Sequence, residues 1–135
     1  MLNNLYKMNN KKIIIVIGSG CREYSIISKL NQDLQNNNNI NIVCFKNQEN
    51  DMIDNIVTNS YMYDGFNNEE SIFSKFINQN NEVIDFVFIG PENPLSEGIV
   101  DFLDNHGINS FGPNKFYSQI ESSKIFCRSL FANKY

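Results

Sequence analysis

The hydrophobic residues of this chain fall into short continuous runs, separated by segments with helical spacing. Apolar runs at Ile13–Ile17, Ile40–Phe45 and Ile84–Ile89 are typical of the buried strands of parallel sheets. Ile108–Phe111 predicts a further short strand, and Asp54–Thr58 predicts a weaker one. In chain order, Asp54–Thr58 would be the third strand.

Apolar residues three or four positions apart predict helices between these strands. The spacing predicts helices over Arg22–Gln35, from about Asn68, after the fourth strand as far as Gly107, and from Asn114. Gly107 is well placed to end the third helix. Because strands and helices alternate, we expect helices on both faces of the sheet. The predicted fold class is α/β, with a doubly wound, mainly parallel, five-stranded, Rossmann-like sheet.

Composition and charge exclude several classes of function. With 135 residues, of which 41% are hydrophobic, the chain can form one domain with a hydrophobic core. Its net charge of −4 argues against a nucleic-acid surface, and no apolar run reaches the length of a membrane span. Cys21, Cys44 and Cys127 lack the spacing of metal ligands. We therefore expect a reduced, cytoplasmic protein without a metal site in this sequence.

A glycine loop, Gly18-Ser19-Gly20, joins the first strand to the first helix. Backbone N–H groups at such a turn, together with the positive end of the helix dipole, attract a phosphate. The dinucleotide-binding fingerprint also requires a third glycine, and an acidic residue after the second strand. Glu23 and Lys46 occupy those two positions, so a nicotinamide or flavin enzyme is disfavoured.

A second loop, Gly90–Leu95, follows the fourth strand and places a carboxylate between two prolines. Pro91 and Pro94 restrict the backbone on either side of Glu92, so we expect this side chain to be rigidly placed. Alternatively, Glu92 caps a helix that begins near Leu95. In the usual strand order the first and fourth strands are neighbours, and both loops then face one crevice at the carboxyl ends of the strands.

Three residues of the first helical turn carry candidate chemistry. Arg22 could supply a fixed positive charge to a phosphate, and Glu23 could orient an amine or a sugar hydroxyl. Alternatively, these two side chains form an ion pair that stabilises the turn. Cys21 lies at a helix N-terminus, a position that can activate a thiol. No histidine is near it in the sequence, so we do not expect a catalytic cysteine.

Five motifs lie in the order, and near the spacing, of one enzyme family. The two loops extend over Gly18–Glu23 and Gly90–Leu95, and Gly98–Asp101, Phe111–Pro113 and Glu121–Lys124 follow them. Together they resemble the N-terminal domain of phosphoribosylamine–glycine ligase, also called glycinamide ribonucleotide synthetase. That family belongs to the ATP-grasp ligases and acts in purine biosynthesis.

The chain departs from the pattern of this family at three places. Cys21 stands where the family has glycine, and Tyr24 stands where it has histidine. Phe45–Asp51 replaces the family's Gly-Asn-x-Gly-Thr loop. This last departure lies at the end of the second predicted strand and in the loop that follows it.

The resemblance implies a reaction that joins 5-phosphoribosylamine and glycine while ATP is cleaved to ADP and phosphate. Glycine would be activated as an acyl phosphate, and ATP would be used with magnesium or manganese. The phosphate of phosphoribosylamine would be bound by the amides of the glycine loop and by Arg22. Its ribose or amine would be bound by Glu92. Lys124 would contact a phosphate of ATP. No catalytic residue is assigned. The implied substrate-binding residues are Gly18, Ser19, Gly20, Arg22, Glu23, Gly90, Pro91, Glu92, Pro94 and Leu95.

The resemblance also implies how the chain is organised. We expect a disordered leader over residues 1–10, a substrate-binding pre-ATP-grasp domain over 11–122, and the start of a truncated ATP-grasp domain over 123–135. ATP-grasp chemistry needs a phosphate-covering loop and acidic magnesium ligands. These would come from the missing domain, as a covalent or a separate partner, so this chain alone is expected to be inactive.

Two alternatives to the ligase interpretation remain open. One is a non-catalytic domain that binds a sugar phosphate or a partner subunit. The other is a different ATP-grasp enzyme of purine metabolism, such as a carboxylase relative, which the Gly90–Leu95 loop disfavours.

Overall fold

Five parallel strands form a single sheet in the order β3-β2-β1-β4-β5. The structure is a computed structural model that describes residues 5–132. The strands are β1 (Lys12–Ile17), β2 (Ile40–Lys46), β3 (Asn59–Met62), β4 (Ile84–Ile89) and β5 (Ser110–Phe111). The helices are α1 (Cys21–Asp33), α2 (Asp51–Asp54), α3 (Ile72–Asn80), α4 (Glu92–Glu97), α5 (Ile99–Asn105), α6 (Lys115–Ser122) and α7 (Lys124–Ala132). The predicted α/β class with a parallel, doubly wound sheet is confirmed.

The central strand β1 contributes to a hydrophobic core on each face of the sheet. Successive side chains of a strand point to opposite faces. Ile13, Ile15 and Ile17 therefore pack on the face that α3 and α5 cover, and all three are fully buried. Val16 packs on the other face, with Ile27 of α1 and Ile53 of α2. The unbroken aliphatic run is thus explained by burial on both sides.

Phe45 is the aromatic centre of the larger core. Its ring lies edge-on to Phe73, with 4.9 Å between centroids, and to Phe76 of the same helix, with 5.4 Å. Tyr61 of β3 packs against it at 5.4 Å. Edge-to-face pairs at these separations are favourable beyond the area that they bury. The end of β2 is therefore firmly held where the chain enters the loop to α2.

The predicted third strand was wrong in position. Asp54–Thr58 is not a strand, because α2 and a turn occupy this part of the chain, and β3 begins at Asn59. The side chain of Asn50 accepts hydrogen bonds from the backbone N–H groups of Met52 and Ile53, and so caps α2. Ile53 then packs against α1 instead of joining the sheet. The true β3 lies at the sheet edge, and its sequence NSYM has little apolar signal.

The third predicted helix is two helices, separated by Gly98. This residue has a φ of 99°, a conformation that glycine adopts at little cost, and its N–H donates to the carbonyl groups of Pro94 and Leu95. The motif Gly98–Asp101 therefore ends α4 and begins α5. Helix α5 ends just before Gly107, as predicted. Strand β5 is shorter than the predicted strand Ile108–Phe111.

Part of the predicted leader packs against α3. The backbone N–H of Tyr6 donates to Gln79 Oε1 at 2.9 Å, and that of Met8 donates to Asn80 Oδ1 at 2.8 Å. Tyr6 and Met8 are half-buried against the larger core. The structure therefore differs from the expected disordered leader at these residues, whereas residues 1–4 lie outside the described part.

Among the helices of residues 5–132, none is both long enough and apolar enough to cross a membrane.

Candidate functional site

The glycine loop and the Gly90–Leu95 loop lie side by side, because β1 and β4 are neighbours. The N–H of Gly90 donates to the carbonyl of Ile17 at 3.0 Å, which extends the pairing of the strands into the loops. The guanidinium of Arg22 donates to the carbonyl of Gly90 at 3.3 Å. The structure therefore brings together the two loops that the sequence predicted to share a crevice.

Two cavities open at this edge of the sheet. The larger, of about 580 Å³, lies between α1, the end of β4 and the Phe111–Pro113 turn. The smaller, of about 390 Å³, lies above the glycine loop and is bounded by Asn47 and Pro91. Arg22 and Glu23 line both cavities. We call the two together the loop crevice.

Most of the predicted binding residues line the loop crevice. Gly18, Gly20 and Pro91 line its smaller part, and Gly90, Glu92 and Leu95 its larger part. The exceptions are Ser19, which is buried behind the loop, and Pro94, which is buried and borders a separate cavity of about 470 Å³. Lys124 is the first residue of α7, where its side chain is exposed. That these residues bind a ligand stays a prediction.

Glu23 is a buried link between the two loops. Only 5% of the residue is exposed, and its Oε2 accepts a hydrogen bond from the N–H of Gly20 at 2.7 Å. A Cβ atom built on Gly90 would lie 1.9 Å from Glu23 Oε1, and one built on Gly18 would lie 2.9 Å from the Glu23 carboxyl carbon. The glycines thus leave the space that this carboxylate fills. That Glu23 orients an amine or a sugar hydroxyl stays a prediction, because the hydrogen bond that its carboxylate accepts comes from the protein backbone.

The expectation that the Gly18 and Gly20 amides face a phosphate needs correction. The N–H of Gly18 donates to the carbonyl of Phe45 at 2.8 Å, and that of Gly20 donates to Glu23. The first N–H groups within a helix have no intrahelical acceptor. The amides of Cys21 and Arg22, the first two residues of α1, are therefore backbone donors that α1 offers to a ligand in the loop crevice.

Arg22 and Glu92 are exposed charges at the mouth of the crevice, and the exposed Glu121 lines the same cavity. Among the ion pairs of the described residues, none joins Arg22 to Glu23, so the alternative of a structural pair is not supported. Helix α4 begins at Glu92 itself, with Pro91 as the residue before it, so Glu92 does not cap a helix that starts at Leu95. A cation and a carboxylate thus flank the same opening, and either can contact a polar ligand.

The loop from β2 to α2 also belongs to the site, and the sequence interpretation missed it. The Ser19 hydroxyl donates to Asn47 Oδ1 at 2.6 Å, and the Asn50 side-chain amide donates to the carbonyl of Ser19 at 2.9 Å. The available signal was an asparagine directly before an acidic turn, DMID, which is typical of a helix N-cap. Assigning Asp54–Thr58 to a strand obscured that signal.

Lys46 has a structural role at the position where a dinucleotide site would have an acid. The residue is 4% exposed, and its ammonium lies 2.7 Å from Glu49 Oε2 and 2.8 Å from Asp54 Oδ2. Hydrogen bonds to Asp54, and then to Glu49, raise the pKa of Lys46 above its ordinary value. The bond from Lys46 in turn lowers the pKa of Asp54. This pair fixes α2 beneath the loop crevice.

We expect Lys46→Met to lower the free energy of unfolding by about 2 kcal/mol at neutral pH, because Asp54 loses its partner. The pKa of Asp54 is lowered in the folded state, so its contribution is present above the ordinary value of 3.8 and disappears as the pH falls through the lowered value. The pKa of Lys46 is raised in the folded state, so its contribution is fully present below the ordinary value of 10.5 and is lost as the pH rises through the raised value. Urea unfolding from pH 2 to pH 9 should show that the unfolding free energies of the native chain and of Lys46→Met become equal only at acidic pH.

Lys29→Met is the matched control for this experiment. Lys29 pairs with Asp33 at 2.7 Å, but 66% and 57% of the two side chains are exposed. Exposed pairs contribute little, at most about 0.5 kcal/mol. A loss for Lys46→Met no larger than that for Lys29→Met would show that the Lys46 pair does not stabilise the fold.

No group of three or more His, Cys, Asp or Glu side chains that could hold a metal ion occurs within residues 5–132. ATP and its magnesium or manganese ions stay predictions from the resemblance. Lys124 is the single residue that the resemblance assigns to ATP.

Comparison with known proteins gives one consistent family. The family model described as phosphoribosylglycinamide synthetase, N domain, matches residues 12–121. The phosphoribosylamine–glycine ligase of Methanosphaera stadtmanae is 39% identical over 118 residues, which are 87% of this chain and 25% of that protein. The ligase of the same name from Methanobrevibacter smithii is 36% identical over 118 residues, 87% of this chain and 24% of that protein. The bifunctional purine biosynthetic protein purD of Dictyostelium discoideum is 37% identical over 126 residues, 93% of this chain and 14% of that protein.

The chain spans about a quarter of the length of the two archaeal relatives. The matched residues, 12–121, contain both loops of the crevice and all five strands. The resemblance suggested by the five motifs is thereby confirmed. The chain belongs to the family of phosphoribosylglycinamide synthetase N domains.

Proposed function

We propose that this chain is the N-terminal part of an ATP-dependent phosphoribosylamine–glycine ligase and that its loop crevice binds 5-phosphoribosylamine. The proposal rests on one observation: the glycine loop and the Gly90–Leu95 loop lie side by side, with Arg22 and Glu92 at one opening. The substrate is inferred from the names of the relatives, which are phosphoribosylamine–glycine ligases.

Different residues of the crevice would bind different parts of the ligand. A phosphate needs positive charge and N–H donors, which the Arg22 guanidinium and the first free amides of α1 supply. A ribose hydroxyl or an amine needs an acceptor, which the exposed carboxylate of Glu92 supplies. Phe88 and Phe111, which stack with 5.5 Å between ring centroids, give the larger part of the crevice an apolar wall. Glu23 contributes by holding the loops together.

Binding of ribose 5-phosphate, measured by calorimetric titration, tests this assignment. We expect Arg22→Ala to weaken binding by about tenfold, because a charge-assisted bond to phosphate is lost. We expect Glu92→Ala to weaken it by about fivefold, because one hydrogen bond to the sugar is lost. Arg22→Ala should also reduce the preference for ribose 5-phosphate over ribose, because only the α1 amides then bind the phosphate, whereas Glu92→Ala should preserve this preference.

Two variants serve as matched controls. Arg128→Ala removes an exposed arginine from α7, and Glu97→Ala removes an exposed glutamate from the far end of α4, outside the loop crevice. Both should bind ribose 5-phosphate as the native chain does. Native affinity in both Arg22→Ala and Glu92→Ala would refute the assigned site. The expectation that this chain alone does not turn over is tested on the same preparation, by assaying ADP formation from ATP, glycine and phosphoribosylamine.

A further inference from the structure

The peptide unit between Ser19 and Gly20 is held on both sides by side chains. Its carbonyl accepts a hydrogen bond from Asn50 Nδ2 at 2.9 Å. Its N–H donates to Glu23 Oε2 at 2.7 Å. A peptide unit is planar, so these two bonds together fix its rotation. This peptide unit leads into Gly20, the residue directly before α1, so its orientation affects where the free amides of Cys21 and Arg22 point.

Asn50 performs two tasks with the two ends of one planar amide group. Its Oδ1 accepts from the N–H of Met52 at 3.1 Å and from that of Ile53 at 3.4 Å, which caps α2. Its Nδ2 donates to Ser19. The helix and the glycine loop are thus joined through a single side chain, and neither can turn without breaking one of its bonds.

The helix α2 is a firm base for this link. Ile53 is fully buried beneath it, and the Lys46 ammonium binds Asp54 at its end. The Ser19 hydroxyl adds a second connection, because it donates to Asn47 and accepts from the N–H of Gln48 at 3.0 Å. The loop after β2 therefore helps to hold the glycine loop in the position from which it enters α1.

We propose that Asn50 is a positioning residue for the ligand of the loop crevice, acting through the Ser19–Gly20 peptide unit. This inference rests on the proposed function, in that it assigns the ligand's phosphate to the α1 amides. Asn50 lines neither cavity of the loop crevice, so it acts without touching the ligand.

The variant Asn50→Asp separates the two tasks. Aspartate caps a helix as well as asparagine does, so α2 is kept. Its carboxylate has no N–H, so the bond to the Ser19 carbonyl is lost and two oxygens are left facing each other. We expect binding of ribose 5-phosphate to weaken by about three- to tenfold, the effect of about one hydrogen bond. In proton–nitrogen correlation spectra, the Gly20 amide signal should move, while the thermal midpoint stays near that of the native chain.

Asn114→Asp is the matched control, because Asn114 caps α6 by accepting from the N–H of Tyr117 and lies outside the loop crevice. It should change neither the Gly20 signal nor the affinity. Native affinity and an unmoved Gly20 signal in Asn50→Asp would overturn the positioning role. If the native chain itself fails to bind ribose 5-phosphate, the proposed function is refuted. The Gly20 signal then still decides whether Asn50 orients the peptide unit.

Discussion

Replacing Phe45 with alanine should lower the free energy of unfolding by about 3–5 kcal/mol, as for other buried aromatic residues. The ring is fully buried, and its edge-on partners Phe73 and Phe76 come from one rigid helix that cannot close the space. The lost free energy comprises the apolar surface that is no longer buried and the cavity that remains. Urea unfolding followed by circular dichroism gives the difference directly.

Phe111→Ala provides the comparison for this variant, because the same atoms are removed from a residue that is 63% exposed. Its aromatic partner within residues 5–132 is Phe88, which lies parallel to it. We expect a loss of about 1 kcal/mol or less. Equal losses for Phe45→Ala and Phe111→Ala would contradict the placement of Phe45 at the centre of the larger core.

Replacing Gly18 with alanine should cost about 3 kcal/mol or more of unfolding free energy. Gly18 has a φ of 115°, which strains any residue with a Cβ atom. The added methyl group would also lie 2.9 Å from Glu23 Cγ and 3.1 Å from the ring of Pro91. Backbone strain and steric overlap therefore add at one position, and thermal or urea unfolding measures their sum.

Two further variants separate these contributions. Gly65→Ala isolates the strain, because Gly65 has a φ of 91° and nothing within 4 Å of an added Cβ atom. Gly18→Ala in a Glu23→Ala background removes most of the overlap and keeps the strain. We expect each to cost about 1–3 kcal/mol. If Gly18→Ala is no worse than Gly65→Ala, Glu23 does not fill the space between the loops in solution.

The strands at the centre of the sheet could be predicted because both of their faces are buried. Ile84–Ile89 matches β4 at both ends, and Ile40–Phe45 matches β2 to within one residue. The edge strand β3 could not be found in this way, because an edge strand of NSYM carries few apolar residues. The helix predicted from about Asn68 begins at Ile72, because Ser71 is its N-cap. The overlooked N-cap Asn50 led to the misplaced strand.

The location of the candidate site could be predicted from topology, but its hydrogen bonds could not. The neighbouring positions of β1 and β4 follow from the common strand order. The bonds of the Gly18 and Gly20 amides depend on Phe45 and Glu23, whose positions are set only by packing. A glycine in such a loop can make room for a ligand or for the protein's own side chain. The sequence does not distinguish between these two cases.

The segment before β1 affects where the folding unit can be cut. Asn80 is 2% exposed, and its amide accepts from the N–H of Met8 and donates to the carbonyl groups of Tyr6 and Phe76. A protein that starts at Lys11 would leave this buried amide with one of its three bonds and would expose the part of the larger core that Tyr6 and Met8 cover. For expression and crystallisation, the unit is therefore best begun before Tyr6, although the family match starts at residue 12.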